Sequence, residues 1–303
     1  AQALMAQEQA SATALDAKTA SALATTQDEV QRLFAQAAYW FAQAAPFEDV
    51  ALYEHGVSLL HGYAESGQVK QGELLIAQAA KAGITDAQAL LGYFYLVGST
   101  VFAVDVEQAK VLLQQAAEAE NIEAMSNLGV LFYQENDHQQ ALAWMSKAAE
   151  SGYPQSQYHL ALLLAEGANA DSEQSRLWMQ EAASQGQLDA MLHCATEILH
   201  NDNAQSIELE LAERYLHDVI KYGHNVTAMI ELSVALADGM LSRIDVVQSA
   251  YLLQQAKHYG NDIQQQVIEP LWQSLLMQID SVIALNPSKE ELVSLQQARQ
   301  FLE

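Results

Sequence analysis

Apolar and small residues recur along most of this chain at helical spacing, and the helices they predict come in pairs. A double small residue, followed three positions later by a helix-ending residue, appears as Ala79-Ala80 with Gly83, Ala116-Ala117 with Glu120, Ala148-Ala149 with Gly152, and Ala182-Ala183 with Gly186. It weakens to Val219-Ile220 with Gly223 and returns as Ala256-Lys257 with Gly260, so the ending residues lie 37, 32, 34, 37 and 37 positions apart. A period of that size is the mark of a helix-pair repeat. The first helix of each unit carries small-x-x-x-Leu-small, as in AQALLG (Ala87 to Gly92) and AMSNLG (Ala124 to Gly129), with weaker copies ending at Gly56, Ala161, Ala195 and Ser233. Small residues there let two helix axes approach, and Leu91, Leu128, Leu160 and Leu232 just before them supply buried area. The alanine pair is read as the matching flat surface, Trp144 and Trp178 as filling the gap between repeats, and the closing Gly as a left-handed helix end.

The second helices announce their starts. One column reads Gln68, Asp105, Asp137, Asp171, Glu208 and Asp245, and three residues on stand Gln71, Gln108, Gln140, Gln174, Leu211 and Gln248. Asp-x-x-Gln predicts a capping box, the acid accepting a backbone N–H and the Gln reaching back to the cap's own N–H, each cap contributing about 1 kcal/mol. Six hairpins follow, at about 49–83, 86–120, 123–152, 154–186, 188–223 and 226–260. Residues 1–45 read as two helices before Pro46, the second carrying Phe34, Trp40 and Phe41. Residues 262–284 and 288–302 read as two closing helices, Pro270 kinking the first and SKEE at Ser288 starting the second. The chain thus divides into an N-terminal helical cap (1–48), a repeat array (49–260) and C-terminal capping helices (261–303), the flanks departing from the pattern as array ends must.

A unit of the form A-x-x-x-L-G-x-x-Y-x-x-G, V-x-x-D, A-x-x-W-x-x-x-A-A-x-x-G resembles the Sel-one-like repeat, a relative of the tetratricopeptide repeat. Ala141, Trp144, Ala148, Ala149 and Gly152 carry the likeness best, with Leu91, Gly92, Tyr95, Gly98, Asp105 and Ala109. It covers roughly residues 49–260. The fifth unit departs from it, lacking the alanine pair and holding Cys194 where Leu is usual, as does the first, with His55 there. The resemblance implies an all-α, right-handed superhelical solenoid of about six antiparallel helix pairs with helical end caps, serving as a scaffold or adaptor for partner proteins in signalling, envelope assembly or host contact. It supplies no catalytic residues.

Composition narrows the partners. Half the residues are apolar, ample for a core, and 38 acidic against 13 basic side chains give a formal charge of −25. Such a field repels phosphate backbones and anionic head groups, so nucleic acid is not an expected partner. No apolar run reaches the ~18 residues of a membrane span, so membrane insertion is not expected either. The chain opens AQALMAQEQA, without an initial Met, a charged n-region or an apolar h-region, leaving a removed export signal and a trimmed start both open, and with them a periplasmic or secreted as against a cytoplasmic location.

A lone cysteine, Cys194, excludes an intrachain disulfide framework and a multi-thiolate zinc site, and its Leu column predicts a small buried hydrophobe. His159 and His193 occupy one column of consecutive repeats, with His200 and Glu166 at the ends of the same helices. That leaves a metal-binding or enzymatic use of the region as a rival reading, without any short ligand motif behind it. No phosphate-cradling, nucleophile-elbow or zinc-protease motif occurs, and no cofactor, metal or catalytic residue is assigned.

A surface is the better candidate. In a tetratricopeptide-like stack the first helices line the concave face, where positions one after the small site read Val57, Tyr93, Val130, Leu162, Thr196 and Val234, and positions three before it read Tyr53, Ala89, Ser126, Tyr158, Leu192 and Ile230. Leu60, Leu96, Tyr133 and Leu199 extend the stripe, and Glu54, Asp86, Glu123, Asp189 and Glu231 edge it. The expected function is non-enzymatic binding of a basic or amphipathic peptide or protein segment in the groove of repeats two to five, at Tyr93, Leu96, Val130, Tyr133, Tyr158, His159, Leu162 and His193. The alternative is an architectural part of an envelope complex that makes its contacts through edges and end helices.

Overall fold

Helix-period patterning without a strand-like alternation gives what it should: among the described residues all regular structure is helical. The computed structural model describes residues 28–63, 68–166, 172–241, 243–285 and 287–303. The first helix expected within 1–45 and the Asp171 cap lie outside them. Helix α1 covers residues 28–44. Then α2 (Asp49–Leu60) packs on α3 (Val69–Lys81) and α4 (Thr85–Val97) on α5 (Val106–Glu118), followed by α6 (Ile122–Gln134) and α7 (His138–Glu150). Next α8 (Pro154–Ala165) packs on α9 (Ser172–Ser184), α10 (Leu188–Leu199) on α11 (Ser206–Gly223) and α12 (Val226–Ala237) on α13 (Val246–Tyr259). Last come α14 (Asp262–Ala284) and α15 (Lys289–Leu302). The chain forms two compact units that divide between Trp144 and Met145, inside α7.

Each hairpin closes on small residues. A second column, on the second helices, holds Gly72, Ala109, Ala141, Ser175, Ala212 and Ser249, all buried. In the first unit a Cβ on Gly56 would stand 2.9 Å from the Gly72 carbonyl oxygen, and one on Gly92 would stand 2.8 Å from Leu113 Cγ. In the second unit the extra atoms of serine are used instead: the Ser175 hydroxyl donates to the Ala161 carbonyl at 2.7 Å, and the Ser233 and Ser249 hydroxyls lie 2.9 Å apart. Around these crossings the core is filled by Leu91, Leu128, Leu160 and Leu232, and by Ile76, Leu113, Met145, Met179, Leu216 and Leu253, three residues before the small pair. Truncating one such side chain to Ala costs about 2–5 kcal/mol. Met145 and Met179 are buried, and their neighbours Trp144 and Trp178 are half-buried, Trp178 packing on the core from the space between α7 and α9.

The caps hold in part. Asp105, Asp137 and Asp245 accept the N–H of Gln108, Gln140 and Gln248 at 3.0, 3.1 and 2.9 Å. In place of the expected return bond to the Gln side chain, the cap's own N–H donates to a carbonyl of the preceding helix, Asp105 to Tyr95, Asp137 to Phe132 and Asp245 to Leu236. Gln68 makes no side-chain cap. Helix α11 starts earlier than its column implied, at Ser206, with the Glu208 carboxylate accepting the Gln205 N–H at 2.7 Å. First helices are capped too, by Asn121, Gln187 and Asn225. At the other ends, Gly83, Gly152 and Gly186 have positive φ as expected, but Gly223 and Gly260 do not. There α11 runs on through Gly223 so that His224 takes the left-handed place, and Gly260 leaves α13 extended.

One loop owes its shape to a distant residue. Glu73 on α3 is buried, and its carboxylate accepts from the Ser99 hydroxyl (2.7 Å) and from the N–H groups of Thr100 (3.1 Å) and Val101 (2.7 Å), pinning the α4–α5 loop. Burial pushes this carboxyl upward, but those bonds outweigh it and hold its pKa below the usual carboxylate range. At the C-terminal end α14 passes through Pro270 without stopping, Ser288 and Glu291 form a full capping box, and the Trp272 indole donates to the Leu302 carbonyl at 3.0 Å.

Candidate functional site

Within the first unit α4 adjoins α6 directly, so the first helices share a face. Carboxylates gather at its edge: the Tyr53 hydroxyl is pushed up to about 12 by burial and then by Asp86, Glu54 and Glu123, which stand on α4, α2 and α6. The Asn121 side chain, already capping α6, donates to Asp86 at 2.8 Å and ties the two helix starts together. Along the same face Tyr93 is 44% exposed and Tyr133 36%, the latter edge-on to His138, while Leu96 and Val130 are half-buried. Ala89 and Ser126, expected on this face, are buried in helix packing instead, because side chains that short cannot reach past their neighbours.

In the second unit Tyr158 and His159 are half-buried and adjacent on α8, Leu162 is 36% exposed and His193 on α10 is exposed. Burial pushes Tyr158 up, and Asp189 adds to it; burial lowers His159, against the pull of Asp189. Nε2 of His159 lies 3.1 Å from the Gln155 amide, which in turn receives a bond from Gln187, so a polar thread links α8 to the cap of α10. Leu199 is buried and leaves the stripe. Cys194 is buried, as its column predicted, and its thiol is pushed up to about 11 by burial and by Glu197. Among the described residues no three His, Cys, Asp or Glu side chains are grouped to hold a metal ion, and no helix is long and apolar enough to cross a membrane.

Other concavities lie between successive second helices. One of about 580 Å³ in the first unit runs between α3 and α5 over α4, past Tyr95, Val111 and Leu112. In the second unit one of about 560 Å³ holds Trp178, and another of about 480 Å³ holds Arg176, Cys194 and Tyr215. Val111 and Leu177 occupy the same repeat position, five before the small pair, and both are more than half exposed. That recurrence is visible in the sequence alone.

A family model described as the Sel1 repeat matches residues 27–45, 85–121, 122–153, 154–187 and 226–258, just over half of the chain. The first of these falls on α1, where Ala37, Trp40, Ala44 and Ala45 repeat the spacing of Ala141, Trp144, Ala148 and Ala149, so the repeat pattern reaches further toward the N-terminus than residue 49. The hairpins without a match include those holding His55 and Cys194 in the leucine column. Among solved structures, c5321, a protective antigen of uropathogenic Escherichia coli strains with an SLR fold, superimposes with a TM-score of 0.66 at 20% identity over 88% of this chain and 63% of its own. A Sel1 repeat protein from Oxalobacter formigenes gives 0.63 at 24% identity over 80% and 74%. The fold class is therefore the all-α helix-pair solenoid. Chitin synthase regulatory factor 4 of Schizosaccharomyces pombe is 31% identical over 130 residues, 43% of this chain and 20% of that protein. The chain thus spans about a fifth of the length of this relative and just under two thirds of the E. coli structure.

Proposed function

This chain belongs to the Sel1 repeat family, whose members mediate protein–protein interaction, and we propose that it is a non-enzymatic scaffold that takes basic or amphipathic segments of partner proteins on the face of its first helices. The observation that carries the reading is in the first unit: Tyr93 stands exposed on a face where three carboxylates from three helices bear on Tyr53. Tyrosine offers a large, rigid contact area with a polar tip, and the carboxylates select and orient positive charge. Leu96, Val130 and Tyr133 extend that surface in the first unit, and Tyr158, His159, Leu162 and His193 form the corresponding surface of the second. The alternative use of His159 and His193 as metal ligands has no third ligand among the described residues to support it.

A displayed peptide library selected on the immobilised full chain tests this. Retained sequences are expected to combine Lys or Arg with large apolar residues, and Tyr93→Ala with Tyr158→Ala is expected to lower their retention about ten-fold or more. Retention unchanged in a double variant with wild-type circular dichroism would reject this face.

A further inference from the structure

The groove at Trp178 has a chemistry of its own, independent of the first-helix face. Its floor is ordered. Gln157, buried, donates to the Ala149 carbonyl at 3.3 Å, and the Gln185 amide donates both to Gln157 at 3.0 Å and to the Glu181 carboxylate at 2.9 Å. Glu181 lies one turn beyond Trp178 on α9, on the same side, and Glu150 lines the opposite wall from the last turn of α7. The indole is half-buried against the core and open to the groove, and no basic side chain is among the residues lining it.

Elsewhere this chain shows what such a grouping accepts. Lys257 lies 4.0 Å from the centre of the Trp272 ring and 3.3 Å from Glu269. Lys110 lies 4.6 Å from the Phe132 ring centre and 2.5 Å from Glu135. In both, a ring and a carboxylate together hold a cation, the ring by its quadrupole and the carboxylate by charge. At Trp178 the ring and Glu181 of α9 and Glu150 of α7 surround an open volume of about 560 Å³, ample for an alkylammonium or guanidinium arm. We propose that this groove takes a lysine or arginine side chain of a partner protein, laid on the Trp178 indole between Glu150 and Glu181. The net charge of −25 draws such a segment in, and exposed Leu177 at the rim receives the apolar residue beside it.

The test follows the side-chain indole signals of the four tryptophans in the full-length protein, with Trp178 assigned by Trp178→Phe, during titration with an end-blocked tetra-arginine peptide. The Trp178 signal is expected to shift saturably, with tetra-glutamine leaving it in place. Glu150→Gln with Glu181→Gln, both exposed positions, is expected to weaken the half-saturation about five-fold or more. Neutralising Glu107 and Glu118 in the first unit should leave it unchanged. A Trp178 signal that stays put, or equal weakening by the Glu107 and Glu118 pair, would overturn the assignment and reduce the effect to diffuse charge.

Discussion

Cys194 shows how far a single column can be trusted. Its place among leucines predicted a small buried hydrophobe, and the thiol is 5% exposed, with burial and then Glu197 pushing its pKa up to about 11. Since only the thiolate attacks, the native protein near pH 8 is expected to react with a disulfide reagent far more slowly than the same protein in concentrated guanidinium. Equal rates would show the side chain to be open. His159 was less legible. Its column put it on the first-helix face beside His193, but the ring is half-buried against Tyr158 and bonded toward Gln155, and Nδ1 is buried without a hydrogen-bond partner. Column position gives the direction of a side chain; how deep it sits depends on the length of its neighbours on the next helix.

Among the elements, periodic signals specify the hairpins, and the aperiodic contacts between them leave no mark in a short window of sequence. Six phased small pairs located the hairpins, and SKEE located α15, since these are local choices repeated or reinforced within a few residues. The return half of the Asp-x-x-Gln box failed because the cap's N–H had a carbonyl of the preceding helix within reach, which no window of four residues can reveal. The Glu73 clamp was invisible for the same reason, its partners lying 26 to 28 residues away. Its effect is measurable by urea denaturation. Glu73→Gln leaves one oxygen where two accepted, and should cost about 2 kcal/mol at neutral pH. Because the folded carboxyl is held below its ordinary 4.5, its contribution is fully present above that value and fades as pH falls through the lower folded pKa. The gap between wild type and variant should therefore narrow in acid. A gap that is constant down to strongly acidic pH would assign the cost to packing alone.

For the whole molecule, the proposed binding role rests on charge and repetition more than on any single group. A charge of −25 lies on a chain whose first unit keeps Tyr93 and Tyr133 exposed on first helices and Val111 exposed on a second helix, while the second unit exposes Leu162 on a first helix and Leu177 on a second. The hairpins that fall outside the family match, α2 with α3 and α10 with α11, close on the same small columns as the rest, which shows that the packing rule is broader than the sequence signature. The most direct test of partner binding on the first-helix face is photo-crosslinking in cells of the source organism, with benzoylphenylalanine replacing Tyr93 in one variant and exposed Val267 of α14 in another. Adducts through a basic segment at position 93, with none at 267, are predicted; adducts at 267 and none at 93 would move the function to the end helices and contradict the account.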